Sequence, residues 1–177
     1  MTEQALAAAI QRTQKVLQRR PALGIHVDTP ATAQWRGGTR VLSSHANGTQ
    51  IFSDMPVEVG GSGDQVTPGW LLRAGLAACA TTRIAMGAAT AGIGLSALEV
   101  TATSRSDTRG LLGMTGAQGE PIGAGPMDVD LCVRISAPGV STERLRALVE
   151  ESCRCSPVPA ALRNAIPVAL RIEVGPA

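Results

Sequence analysis

The 177-residue sequence predicts an α+β fold, and three observations carry that reading. A long run from Thr67-Pro68 to Gly92 is apolar almost all round, the pattern of a helix buried in a core. Short extended runs before it are joined by Gly37-Gly38 and by Asn47-Gly48, and Asn-Gly between two such runs is a strong hairpin signal. Two longer stretches after it, residues 95–106 and 127–137, alternate with the period of two that defines a half-buried strand. Helical and extended segments do not alternate in βαβ order, so the expected class is α+β with antiparallel strands.

The elements follow in chain order. Glu3 to Arg19 places Leu6, Ala9, Ile10, Thr13, Val16 and Leu17 at helical spacing on good helix formers, with Thr2 at its start. Pro21 and Pro30 bracket a linker, so this helix is an appendage packed on the main domain or on a partner subunit; residues 1–30 are helix and linker and 31–177 the main domain. Thr32–Arg36, Thr39–Ser44 and Thr49–Ser53 form a β meander. Gly60-Gly61-Ser62-Gly63 interrupts it, and Thr67-Pro68 supplies an N-cap followed by proline in the first helical turn. Leu98, Val100 and Ala102, then Val129, Leu131, Val133 and Ile135, mark the inward positions of the next two strands. Between them, residues 107–125 are glycine-rich and aperiodic, the sign of a long functional or mobile loop. Ser141-Thr142-Glu143 opens a helix that ends before Ser156-Pro157, a short helical turn spans Ala160 to Asn164, and Pro167 to Val174 reads as a closing strand.

Composition removes whole classes of function. With 44% hydrophobic and 17% charged residues the chain is neither collagen-like, coiled-coil nor disordered. Aromatics make up only 2%, which leaves no stacking platform for single-stranded nucleic acid, and a net charge of +2 points to no nucleic acid or other acidic partner. No secretory leader and no membrane span is legible; the expected location is the cytoplasm, where thiols stay reduced unless they serve catalysis or sensing.

That makes the four cysteines worth placing one by one. Cys79 lies within the apolar helix, where a small hydrophobe serves packing equally well, but Arg83 follows one turn later and would favour a thiolate if its guanidinium reached the sulfur. Cys153 and Cys155 lack the partner pair that a zinc site needs, and as exposed thiols beside Ser156-Pro157 they include a possible resolving cysteine for a sulfenic acid formed elsewhere. Cys132, within a strand run, reads as structural, and His26 and His45 as surface histidines. The run from Ser104 to Gly110, with Arg105, Asp107 and Arg109, is either a solvated strand end or a loop reaching over a site. No phosphate loop, dinucleotide fingerprint or usual zinc spacing is present, so neither a cofactor nor a metal is expected.

Thr67-Pro68-Gly69-Trp70-Leu71-Leu72-Arg73-Ala74-Gly75-Leu76-Ala77-Ala78-Cys79 resembles the central-helix motif of the OsmC/Ohr family. Cys155-Ser156-Pro157-Val158-Pro159-Ala160-Ala161-Leu162 resembles its second cysteine motif, Ile166 to Val174 its closing strand, and Gly60-Gly61-Ser62-Gly63 its glycine-rich segment. The likeness runs from Ala33 to Val174; the helix Glu3–Arg19 lies outside it and looks like the extension of one OsmC-like subgroup.

The resemblance implies an intertwined homodimer with a site at the interface and a thiol-dependent peroxidase of the oxidative stress response, acting on organic hydroperoxides. By it, Cys79 is the peroxidatic thiol and Cys155 the resolving one, with Cys153 as the alternative, and a small or lipoyl dithiol is the reductant. Ohr-type enzymes hold the thiolate with an arginine from the first strands and a glutamate just after the helix-start proline. Here the arginine corresponds to Arg36 or Arg40, with Arg83 a further cation, and the glutamate position is Gly69. Either Asp107 or Glu58 takes over the carboxylate's role, or peroxide reduction is weak. Two other functions fit the same fold: a non-catalytic dimer that binds a small apolar ligand, and a redox sensor.

Overall fold

In the computed structural model, which describes residues 2–175, the Thr2 hydroxyl accepts the Ala5 N–H at 3.2 Å and starts α1 (Glu3–Arg19). Pro21 opens a short 3-10 turn that ends it. With no fully buried residue of its own, α1 leans on the main domain of its own chain, against the long central helix.

Strands β1 (Thr32–Trp35), β2 (Val41–Ser44) and β3 (Gln50–Ser53) form the expected meander in the order β1-β2-β3, with Trp35 opposite Val41 and Leu42 opposite Phe52. Arg36, Thr39, Arg40 and Thr49, expected at strand ends, sit in the turns instead: Arg36 N–H bonds the Arg40 carbonyl at 2.9 Å around Gly37 and Gly38, whose φ of +99° and +55° only glycine adopts readily. After β3 the chain makes a 3-10 turn at Val57–Val59 and doubles back so tightly that a Cβ on Gly61 would occupy the Met55 carbonyl. Gly61→Ala must therefore push two backbone segments apart, and the expected result is a melting temperature lower by about 5 °C or more, read by thermal unfolding.

Helix α2 (Pro68–Thr90) begins where Thr67 accepts the Trp70 N–H at 3.1 Å. It ends in a Schellman motif, with Ile93 N–H on the Ala88 carbonyl, Gly92 N–H on the Ala89 carbonyl, and Gly92 at φ +66°. Leu76, Ala80, Ile84 and Ala88, spaced four apart, are its buried stripe. Leu72, Gly75, Ala78 and Thr82 on the same helix are exposed in the single chain.

β4 (Ala97–Arg105) and β5 (Asp128–Ser136) pair antiparallel, Ala97 opposite Ser136 and Arg105 opposite Asp128, and β4 packs on α2. The connection is an ordered loop: Asp107 caps the single turn α3 (Thr108–Leu111), Thr115 bridges Pro121, and Gly110 lies against the Gly123 carbonyl with no room for a side chain. α4 (Thr142–Arg154), capped by Ser141, and α5 (Pro157–Arg163) then pack on α2. The helical turn thus begins three residues earlier than the expected Ala160, because Pro157 preorganises the first turn.

The closing strand expected at Pro167 to Val174 does not form within the chain. A strand exists only where its amides and carbonyls find a partner edge. Here the segment leaves the domain with Val168, Leu170, Ile172 and Val174 all exposed. No helix among the described residues is long and apolar enough to cross a membrane.

Candidate active site around Cys79

The site is built where α4 crosses α2. Gly87 makes the crossing close: a Cβ there would lie 2.6 Å from Ser152 Oγ and 3.0 Å from Leu148 Cδ1. Ser152 and Leu148 are buried against α2, and the α4–α5 junction is consequently pressed onto α2 two turns nearer its N-terminus, where Cys79 lies. Ser156 at the junction is 0% exposed, and Pro159 is buried beside it.

Two donors converge on the half-buried Cys79. Ser156 Oγ donates to Cys79 Sγ at 3.2 Å, and the Val158 N–H points at the same sulfur at 3.5 Å. Ser156 is the N-cap residue of α5, and a capping serine normally turns its oxygen to an amide of the first turn. This one makes no such bond; its hydroxyl goes to the thiol, and the first N–H that the helix offers after Pro157, that of Val158, goes there too. The thiolate is the nucleophilic form of a cysteine, and both donors face the sulfur that would carry its charge.

The structure brings Ser156, rather than a second cysteine, to Cys79. Cys155 is exposed, with its thiol 3.9 Å from Glu151 Oε1. Cys153 is half-buried on α4, and burial pushes its thiol above the ordinary value while the Arg163 guanidinium opposes the shift. Arg163 itself donates to the carbonyls of Cys153 and Arg154 at 3.3 and 3.4 Å, satisfying the end of α4. Cys132 lies on the exposed face of β5 with Asp130 and Arg134. Ser156 carries no distinguishing signal in the sequence, because a serine before proline already has a sufficient explanation as a helix cap.

The arginines lie elsewhere in the single chain. Arg40 bonds Ser62 Oγ at 2.8 Å and Asp64 at 2.5 Å, and its Nε is 3.6 Å from Asp54. Arg36 bonds Gln34 Oε1 at 2.7 Å on the surface. Asp64 and Asp54, which the sequence did not single out, are thus the carboxylates that hold Arg40. Asp107 is paired with Arg109, which lowers its carboxyl, and Glu58 is an exposed residue of the 3-10 turn. Gly69 leaves space: the nearest atoms to a Cβ there are Arg73 Nη1 at 3.7 Å and Thr67 Oγ1 at 3.9 Å. Arg83 lines a largely apolar groove of about 820 Å³ between α1, α2 and α4, with Ile10, Met86, Leu148 and Glu151. A second, smaller hollow of about 370 Å³ lies between Leu76 of α2, Met127 and Leu131 near β5, and Pro159 and Leu162 of α5. Among the described residues no group of three or more His, Cys, Asp or Glu side chains is placed to hold a metal ion.

A half-buried thiol on a capped central helix, met by donors from the following helical pair and backed by an antiparallel sheet, defines a class of α+β proteins with a helix cysteine at its centre. The OsmC-like protein family model matches residues 61–171, and the chain belongs to that family. A search of the curated proteins finds no match. Among solved structures, an OsmC-like protein from Mycoplasma pneumoniae is 18% identical, with 78% of this chain and 89% of that one covered and a TM-score of 0.64. The organic hydroperoxide resistance protein OsmC of Legionella pneumophila is 23% identical (78% and 91% covered, TM-score 0.57). An organic hydroperoxide resistance protein from Elizabethkingia anophelis is 24% identical (78% and 90% covered, TM-score 0.58). These likenesses bear on the fold.

Proposed function

We propose that the protein is a thiol-dependent peroxidase of the cytoplasm that reduces organic hydroperoxides, with Cys79 as the attacking thiol. The observation that carries this is the pair of donors, Ser156 Oγ–H and Val158 N–H, aimed at a sulfur that is otherwise set among helix packing residues. In the reaction the Cys79 thiolate attacks one oxygen of the O–O bond, the alkoxide leaves and takes up a proton as the alcohol, and Cys79 becomes a sulfenic acid. The family membership, together with the likeness to proteins named for organic hydroperoxide resistance, supports an organic rather than an inorganic peroxide. The test is consumption of cumene hydroperoxide with dithiothreitol as reductant, compared with hydrogen peroxide; turnover no faster than the uncatalysed thiol reaction overturns the reading. In that event the groove between α1, α2 and α4 supports the ligand-binding function instead.

The working unit of this proposal is an intertwined homodimer. The β1-β2-β3 sheet is not among the elements that α2 packs on to any extent, Trp35, Ile51 and Phe52 of that sheet are exposed, and the apolar row from Val168 to Val174 has no partner strand among the described residues. A second copy supplies both a cover for the sheet and an edge for the row. Light scattering at micromolar concentration is expected to give twice the chain mass of 18.1 kDa; the mass of one chain overturns the dimer.

A further inference from the structure

We propose that Cys79 works as a single-cysteine centre: Ser156 stands where a resolving thiol would have to stand, and the Cys79 sulfenic acid is discharged by an external dithiol. This rests on the peroxidase reading above. The place directly opposite the sulfur is filled by an oxygen that cannot form a disulfide, 0% exposed and 3.2 Å away. Its hydroxyl has been taken from its ordinary duty as a cap, and the amide it would have capped is turned to the same sulfur. Both donors are in place to hold the added oxygen of a sulfenic acid once it forms, and neither consumes it.

Neither remaining candidate thiol is placed to do so. Cys155 ends α4 with its N–H on the carbonyls of Glu151 and Ser152 and its thiol beside Glu151. A disulfide needs Cα atoms roughly 4.4–6.8 Å apart and side chains turned toward each other. To present Cys155 to Cys79, the junction must turn Ser156 out of its buried position and give up the Ser156 N–H bond to Cys153 and the Ala160 N–H bond to the Ser156 carbonyl, which together hold the start of α5. Cys153 lies a further two residues back on α4, with its carbonyl tied to Arg163.

The cycle balances without a second protein thiol. Cys79 thiolate, hydroperoxide and one proton give Cys79 sulfenic acid and the alcohol. One thiol of a small dithiol then displaces water from the sulfenic acid to form a mixed disulfide with Cys79. The second thiol of the same molecule attacks its own sulfur in that bond, leaving as a cyclic disulfide and restoring the Cys79 thiol.

The test treats the reduced protein with one equivalent of cumene hydroperoxide in the presence of dimedone and maps the cysteines by mass. The parent is expected to carry the dimedone adduct on Cys79, and Cys155→Ser and Cys153→Ser to carry it equally. Ser156→Cys is expected to lose two hydrogens mapped to positions 79 and 156, with dimedone capture falling by about tenfold or more as the neighbouring thiol outcompetes it. Ser156→Ala is expected to keep the adduct on Cys79, since the Val158 N–H still faces the sulfur and no thiol is brought to it. A Cys79–Cys155 or Cys79–Cys153 disulfide in the parent, or no disulfide in a Ser156→Cys protein whose Cys79 still reacts with cumene hydroperoxide, overturns the proposal while leaving the peroxidase reading intact. Diamide, which links thiol pairs without a hydroperoxide, separates the two failures: Ser156→Cys cross-linked by diamide in a protein whose Cys79 is inert to cumene hydroperoxide overturns the peroxidase reading, and the proposed cycle with it.

Discussion

Cys79→Ser is expected to abolish peroxide consumption, lowering the rate by at least about 10³-fold, because a serine hydroxyl does not ionise near neutral pH and its oxygen is a poor nucleophile toward an O–O bond. The fold should survive the change. Cys79 is only half-buried, and a serine oxygen there still accepts the Ser156 hydroxyl and the Val158 N–H. Melting temperature and dimedone labelling are therefore measured on the same preparation as the rate: unchanged melting with no label and no turnover is the expected set. Cys132→Ser, on the exposed face of β5, serves as the comparison and should turn over like the parent. Parent-like peroxide consumption by Cys79→Ser would remove the thiol from the mechanism.

Asp54→Asn is expected to cost the most stability of any single charge change. Asp54 is 3% exposed, and its two oxygens accept from Ser62 Oγ and Thr39 Oγ1 at 2.5 Å, from Met55 N–H at 2.8 Å and from Ser62 N–H at 3.2 Å, with the Arg40 Nε beside them. An asparagine keeps the shape but sets an N–H₂ group against donors, and the melting temperature should fall by about 5–10 °C. The pH dependence has a definite sign. The Ser62 hydroxyl first, then the Thr39 hydroxyl, hold the Asp54 carboxyl well below the usual carboxylate range. A carboxyl lowered in the folded state stabilises above its unfolded value of about 3.9, and that contribution is lost as the pH falls below it toward the folded value. The difference in melting temperature between parent and Asp54→Asn should thus be greatest near neutral pH and shrink below about pH 4. A difference that stays constant on acidification would show that the carboxylate charge is not its source.

Legibility of the molecule in its sequence followed the range of the interactions. Thr2, Thr67 and Ser141 were readable as helix starts because a cap is a contact between residues three apart, and each of them makes that bond. The alternation of Leu98, Val100 and Ala102 against Leu131, Val133 and Ile135 was readable for the same reason, and those residues face the core in the β4–β5 pair. The closing strand was read from an alternation as clear as theirs, yet Val168 to Val174 form no strand within the chain, since alternation describes which faces a strand would have and not whether an edge is there to receive it. Arg40 was recognisable as a candidate cation, but its carboxylates, Asp54 and Asp64, come from a loop that returns to the β1–β2 turn only after the Gly61 fold-back.

By itself, then, the sequence determined the class of fold, the extent of the central helix, the order of the strands and the presence of a cysteine on that helix, all properties set by local periodicity, caps and turn residues. Only the tertiary structure decided which group meets that cysteine. Cys155 and Ser156 are neighbours in the chain, separated from Cys79 by more than seventy positions, and where α4 gives way to α5 adjacent side chains point in different directions. The depth of the α2–α4 crossing at Gly87 and the start of α5 at Pro157 set the phase of that junction, and they turn a hydroxyl rather than a thiol to the sulfur.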